Sequence, residues 1–552
     1  MESAGSAMSN RVEHITIVGG GTAGWLTALI LNANLNRTKT GGHVNITLIE
    51  SPSVATIGVG ESTIQNLKST LNLIGIDESE FFLRCNASFK LGVHFVDWSR
   101  ATRTTSSKFF HPLENPPSCG GFSPAYHFFK FGSHWLGTPS YGENVLANAA
   151  VISAGKGPRH PLAGNYMWDI NYAYHFDAGL FAKFMKDFAV ARGVKYIRDD
   201  VVEVFLDEAG AVEALQLSQS GRYPIEFVID CTGFKSLVWS RMGAEPFISA
   251  ADRLINDRAI PLQLPHPDPT KIESCTRAIA LGAGWAWRVP LFNRVGTGYV
   301  YSSAFRSDDE ARREFMTHLR ASGDLPADAA EPETRVIKMR VGYTRQPWIK
   351  NCVAIGLSSG FVEPLEATAI YTIDAAAHRL VMNFPDKHCS PALAQAYNER
   401  SSALMEEIVD FLQVNYRTSN REEPYWKAVR TETRLSDWLK FKLELWRHRL
   451  PDLDDTWDRR LFDFGNYIYA LSPKGYFSDI KFPLDGSVRA DHWQAFGRDL
   501  KTKVKKMSDT LPGHYELLKA IRATAAGAKN NSQLPVGIFA QKFPGELLRI
   551  QR

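Results

Sequence analysis

Cysteine is scarce in this chain of 552 residues: Cys85, Cys119, Cys231, Cys275, Cys352 and Cys389 are all there are, and none stands in a C-x-x-C pair. Such spacing indicates neither a disulfide framework nor a zinc site, and it fits a reducing cytoplasm. An excess of one charge is missing too, because 63 Lys+Arg face 59 Asp+Glu for a formal net charge of +4. That balance gives no field to draw nucleic acid or an anionic membrane, which leaves small, neutral partners. No run reaches the roughly 18 apolar residues needed to span a bilayer. The opening MESAGSAMSN lacks the basic and apolar regions of a secretory signal, so a soluble protein without a membrane partner is expected. Internal repeats, coiled-coil heptads and low-complexity tracts are also absent.

What is present begins with an apolar run, 14–18, that breaks into glycines and resumes as a helical pattern from Thr22 to about Leu31. A second strand pattern, VNITLIE (44–50), follows the Gly41-Gly42 turn, and together they start a βαβ unit with a parallel sheet. From about Arg100 to Ala163 the chain is dense in Pro, Gly, Ser and aromatic residues, which predicts a long irregular stretch of the kind that often carries function. A helix is expected over 177–192, strands over 227–234 and 285–301, and helical periodicity from about 367 to 414, in RLSDWLKFKLELWRHRL, and from 492 to about 523. The fold class is α/β: a Rossmann-like core (11–375) with additional sheet, and a mainly helical C-terminal subdomain (376–552).

Gly19-x-Gly21-x-x-Gly24 sits directly after the first strand and opens the first helix. There glycines permit a tight turn, close approach of a pyrophosphate and helix–strand packing, while the helix N-terminus at Thr22 and Ala23 offers free N–H groups. Glu50 ends the second strand, where a carboxylate can take both ribose hydroxyls. A second glycine-bearing strand end, Asp230-Cys231-Thr232-Gly233-Phe234, turns the reading from NAD towards FAD in a flavin hydroxylase-like arrangement.

GWAWRVP (284–290) resembles the W-x-W-x-I-P signature of flavin-dependent halogenases, with Trp285, Trp287 and Pro290 in the signature positions and Val289 in place of Ile. IGVGESTI (57–64), ASFKLG (87–92) and NCVAIGLSSGFVEPLEATAIYTI (351–373) resemble the same family, closest to its tryptophan halogenase branch. The resemblance implies an enzyme that uses reduced FAD, oxygen and chloride or bromide to make hypohalous acid and halogenate an electron-rich, indole-type ring. It implies further that Gly58, Val59, Gly60, Glu61 and Ser62 form a strap over FAD, that Gly356 borders the cofactor, and that the two tryptophans crowd the flavin side. The catalytic lysine falls on Lys90 and the catalytic carboxylate on Glu366. A buried amine has its pKa lowered, which makes a neutral, halogen-accepting form accessible, and a carboxylate can take the ring proton. Halide is expected at the backbone N–H groups of Thr368 and Ala369. The family pattern P-L-E-S-T-G reads PLEATA here, so Ala367 removes a hydroxyl, and the Cβ of Ala369 is expected to restrict the backbone where glycine is usual.

For the substrate pocket, His111 matches a family wall residue, Leu113 stands where phenylalanine is expected, and Phe462 offers another wall. The segment 451–470 matches the family at Gly465-Asn466-Tyr467 but is shorter before it, without the paired tyrosine and acid that hold an amino acid's charges. Free indole or a larger indole-bearing molecule is therefore expected over L-tryptophan. A separate flavin reductase supplying reduced FAD by diffusion, and a homodimer, are implied by the family alone. The alternative reading is an FAD-dependent aromatic monooxygenase, against which Trp285, Trp287 and Lys90 argue.

Overall fold

The structure is a computed structural model that describes residues 10–37, 43–54, 60–102, 105–132, 140–243, 247–459, 461–480 and 485–530. Strand β1 (His14–Val18), helix α1 (Thr22–Leu35) and strand β2 (Asn45–Glu50) form the opening βαβ unit. β1 is buried from Ile15 to Val18 and β2 from Ile46 to Ile49, continuous apolar runs that suit a parallel sheet covered on both faces. The sheet has six strands in the order Trp348–Ile349, Cys352–Ala354, Phe227–Asp230, β1, β2, Lys195–Arg198, all parallel except the first. Helix α1 is buried over residues 24–31 because helices Ala178–Val190 and Ala369–Met382 pack on it. This element order and parallel pairing match the expected α/β class.

A seven-stranded sheet stands beside the first and includes Thr276–Leu281, Gly284–Pro290 and Val295–Tyr301. A small three-stranded sheet, Gly60–Ser62, Ala173–Asp177 and Ser88–Lys90, bridges the two regions. The C-terminal part is helical, with Pro391–Arg417, Phe464–Leu471, Ala490–Thr510 and His514–Asn530 among its elements. The two largest hydrophobic clusters each draw residues from both sides of position 375, from Val12 to Ile521 in one and from Val93 to Trp493 in the other.

Two expectations change. The stretch 100–163 is more regular than its composition predicts, since it contains strand Lys108–Pro112 and short helices Pro124–Phe131, Tyr141–Val145 and Asn148–Ser153. Pro124 sits at the start of its helix, after the Ser123 cap, where a missing N–H costs nothing. The helical pattern 367–414 is two helices, Ala369–Met382 and Pro391–Arg417, because Pro385 and Pro391 cannot continue a hydrogen-bonded ladder.

Candidate active site

The carboxyl ends of β1 and β2 open onto a cavity of about 650 Å³. Gly19 has φ +118, and a Cβ there would stand 2.2 Å from the Cys231 carbonyl oxygen, so only glycine lets the two strand ends come together. A Cβ on Gly21 would meet nothing within 4 Å, so the backbone faces open cavity where α1 begins. Gly19, Gly21, Thr22 and Ala23 line this space, and the first turn of α1 carries no acidic residue. Free N–H groups and the positive helix end suit a pyrophosphate. Glu50 lines the same cavity, held at 2.9 Å by Lys186 Nζ from the helix that follows Asp177. Gly60, Glu61 and Ser62 cover it from the bridging sheet, and burial pushes the Glu61 carboxyl up to about 7. Gly58 and Val59 lie outside the described residues.

Gly233 and Gly356 line the cavity as well, and a Cβ on Gly356 would approach the Ala23 Cβ to 2.8 Å. Gly24 instead packs helix on strand, 1.9 Å from the Gly19 oxygen by the same measure. Asp230 is fully buried and turned away from the cavity. It accepts from the Thr232, Val238 and Trp239 N–H groups at 2.8 Å each and from the Ser358 hydroxyl at 3.0 Å, tying together the loops that border the cavity. These features fit a dinucleotide such as FAD. Gly21→Val should therefore lower FAD affinity at least about tenfold, the loss of about 1.4 kcal/mol of contact, with an unchanged circular-dichroism spectrum. Unaltered flavin-fluorescence quenching in that variant would show that the cofactor lies elsewhere.

Trp285 and Trp287 line the inner wall from one face of their strand, ring centroids 6.3 Å apart, as period-two alternation requires. The carbonyl oxygen of Pro290 accepts from the Ser88 hydroxyl, joining this strand to the bridging sheet. The Trp285 indole N–H donates to Glu363 at 2.9 Å, and Tyr416 and Asn256 donate to the same carboxyl oxygen at 2.7 Å. Glu363 is buried, which raises its pKa against those three bonds. The chain then turns at Pro364–Ala367, closed by a 3.0 Å bond from the Ala367 N–H to the Pro364 oxygen, and enters helix Ala369–Met382. The left-handed conformation falls on Ala367, φ +57, and not on Ala369, which begins the helix normally. The Cβ that resists the local backbone is therefore that of Ala367. Thr368 and Ala369 face the larger cavity.

A second cavity of about 300 Å³ lies on the far side of this turn and is lined by Lys90, His111, Leu113, Glu366, Phe462 and Asn466, among others. Lys90 borders both cavities. It is 1% exposed, its Nζ donates to the Thr63 carbonyl at 2.8 Å, and burial lowers its pKa to about 8 against the opposing pull of Glu366. Glu366 accepts from Asn415 Nδ2 at 3.1 Å on one oxygen and faces His111 Nδ1 at 3.3 Å with the other. His111 Nε2 meets Asn466 Oδ1 at 2.9 Å, and Asn466 Nδ2 donates to Asp463 at 2.8 Å. Because the Asp463 carboxylate can only accept, the Asn466 oxygen must face His111, so Nε2 carries a proton and Nδ1 is the nitrogen turned to Glu366. Burial acts to lower the His111 pKa, but the charge and hydrogen bond of Glu366 outweigh it and the net shift is upward. Phe462 stacks on Phe411 with centroids 3.9 Å apart.

Sequence reasoning missed Lys186, Glu363, Asn415, Asp463 and Lys474. Glu363 was within reach, a second acid three residues before Glu366 in FVEPLE. Asn415 and Lys474 carry no local signal, since they meet Glu366 only through the packing of distant helices.

A parallel sheet whose glycine-lined cavity suits a dinucleotide, beside a smaller, aromatic-walled cavity, with one buried lysine touching both, is the arrangement of a cofactor-dependent enzyme. The family model for tryptophan halogenase matches residues 14–489. The chain is 34% identical to tryptophan 7-halogenase RebH of Lentzea aerocolonigenes, over 93% of this chain and 99% of that one. Its fold is similar to that of the tryptophan halogenase of Shewanella frigidimarina, with a TM-score of 0.85, 34% identity and 94% and 98% coverage. It is also similar to Tar14, a flavin-dependent tryptophan C-6 halogenase (chlorinase), with a TM-score of 0.83, 34% identity and 92% and 100% coverage. The chain belongs to the tryptophan halogenase family of flavin-dependent halogenases. No helix of the described residues is long and apolar enough to cross a membrane.

Proposed function

We propose that this enzyme halogenates an indole-type ring with reduced FAD, oxygen and chloride or bromide, and that its preferred substrate is not free L-tryptophan. The observation that carries the reading is the position of Lys90, buried and bordering both the dinucleotide-sized and the aromatic-sized cavity. Reduced FAD with oxygen, when bound, supplies the oxidising power that turns halide into hypohalous acid. The backbone N–H groups of Thr368 and Ala369, at a helix start, hold the halide beside the cofactor. Trp285 and Trp287 keep the organic substrate from that side. Lys90 takes the halogen by hydrogen bonding or as its neutral amine, and directs it to a ring held against Phe462 and His111. Glu366 steadies the positive charge that develops on the ring and removes its proton. All six cysteines are free, which accords with a reducing cytoplasm; supply of reduced flavin by diffusion from a separate reductase rests on the family likeness.

The substrate preference follows from charge. Among the described residues that line the smaller cavity, the cationic side chains are Lys90 and, when protonated, His111, and both are engaged with Thr63 or Glu366. The same lining holds three carboxyl groups, Glu114, Glu366 and Asp463, so an entering carboxylate meets an excess of like charge, and Lys90, the one lysine there, is the group that must receive the halogen. Indole carries no such penalty. With bromide, kcat/KM for indole should exceed that for L-tryptophan by at least about tenfold, with attack at C3, the most nucleophilic carbon, because nothing anchors the ring to favour a benzo position. A clear preference for tryptophan with benzo-ring product by NMR would refute this choice of substrate.

A further inference from the structure

The chemistry above leaves one buried amine unused. Lys474 lies in the turn Ser472–Lys474 after helix Phe464–Leu471 and is 7% exposed. Its Nζ donates to the Asn415 backbone carbonyl at 3.1 Å and to Asn415 Oδ1 at 3.3 Å, and it stands 5.4 Å from the centre of the Phe109 ring. No carboxylate among the described residues forms an ion pair with it. Its nearest anion is Glu366, one side chain further on.

We propose that Lys474 is a positioning residue for Glu366, acting through the Asn415 amide. An ammonium only donates and an ionised carboxylate only accepts. Asn415 stands between one of each, so its oxygen must turn to Lys474 and its NH₂ must donate to Glu366. Reversing the amide would set oxygen against carboxylate and NH₂ against ammonium. On the opposite side Asp463 orients Asn466, and Asn466 orients His111, by the same reasoning. Glu366 is thus gripped by two amide-relayed arms, one ending in a cation and one in an anion. The arm from Lys474 aims the carboxylate oxygen that Asn415 holds.

The titratable groups facing Glu366 are His111 from strand Lys108–Pro112, Lys90 from strand Ser88–Lys90, and Lys474 through Asn415. Burial lowers the Lys474 pKa to about 7 against the pull of Glu366, so over the acid range in which carboxyl groups titrate it is an ammonium.

The inference rests on the reading of Glu366 as the base, and two measurements separate the fates of the two ideas. Infrared difference bands of the Glu366 carboxylate in the resting protein at one fixed, mildly acidic pH, assigned against Glu366→Gln, need no turnover. Lys474→Met should shift the carboxylate stretching bands, because the Asn415 amide is then free to turn and its hydrogen bond to Glu366 weakens. Asn415→Leu, a second variant that breaks the relay, should shift them also. Unmoved bands in both overturn the proposal. In turnover with indole, Lys474→Met should lower kcat about tenfold, the worth of one charge-assisted contact, with KM unchanged. In a Glu366→Gln background the same substitution should have no further effect, whereas a merely structural lysine would add its own loss to the one that Glu366→Gln already causes. Additive losses overturn the proposal. Absence of any halogenated product from the unaltered enzyme would overturn the functional reading, and the infrared bands would still decide the role of Lys474.

Discussion

Lys90→Met is expected to yield no detectable halogenated product while reduced FAD is still oxidised and hypohalous acid still forms. The substitution is chosen because the Lys90 side chain is 1% exposed and its surroundings already cover an aliphatic stem, so methionine of similar length keeps the packing while removing the amine. With its pKa lowered to about 8, about a tenth of Lys90 carries a lone pair at neutrality, and in the proposed mechanism that lone pair accepts the electrophilic halogen. Methionine can neither hold hypohalous acid by an N–H bond nor form a haloamine, so the oxidant escapes. Trapping it with a thioether probe outside the protein, alongside product analysis, measures both halves. Halogenated indole at near-normal rate from Lys90→Met would remove the lysine from the mechanism.

Glu366→Gln should lower kcat by about 10²- to 10⁴-fold, the range for losing a positioned general base, with KM for indole little changed. The shape is kept, but an amide cannot take the ring proton. When His111 is protonated, the amide's NH₂ would also face a donor, because Asn415 Nδ2 and His111 Nδ1 approach the two carboxyl oxygens. Deprotonation should become the slow step, so deuterium at the attacked carbon should introduce an isotope effect absent from the unaltered enzyme. Turnover within about threefold of normal, well below what a general base contributes, would assign proton removal to another group.

The glycine fingerprint could be read from local spacing because its physics is local. Gly19, Gly21 and Glu50 belong to one βαβ unit, and a strand–turn–helix places them together whatever the rest of the chain does. The tryptophan pair could be read for the same reason, since residues two apart on a strand share a face. Lys90 and Glu366 were visible only inside motifs resembling a family. In isolation, FKL reads as an exposed amphipathic strand and PLEATA as the acidic start of a helix. Composition misled over 100–163, where Pro and Gly suggest irregularity but caps and helix-starting prolines build short helices.

What this sequence determined alone is the α/β class and the glycine-lined cavity that suits a dinucleotide, through apolar runs, glycine placement and turn chemistry that act within about fifty residues. Tertiary packing decided the rest. It buried Lys90 between two cavities, moved the strained position from Ala369 to Ala367, and made His111 a partner of Glu366. It also brought Asn415 and Lys474 to Glu366 from helices far along the chain. The reason is physical: burial, and with it the lowered pKa of an amine or the forced orientation of an amide, depends on which distant surfaces exclude water around a group, and hydrophobic periodicity records only that a face is covered, not by what.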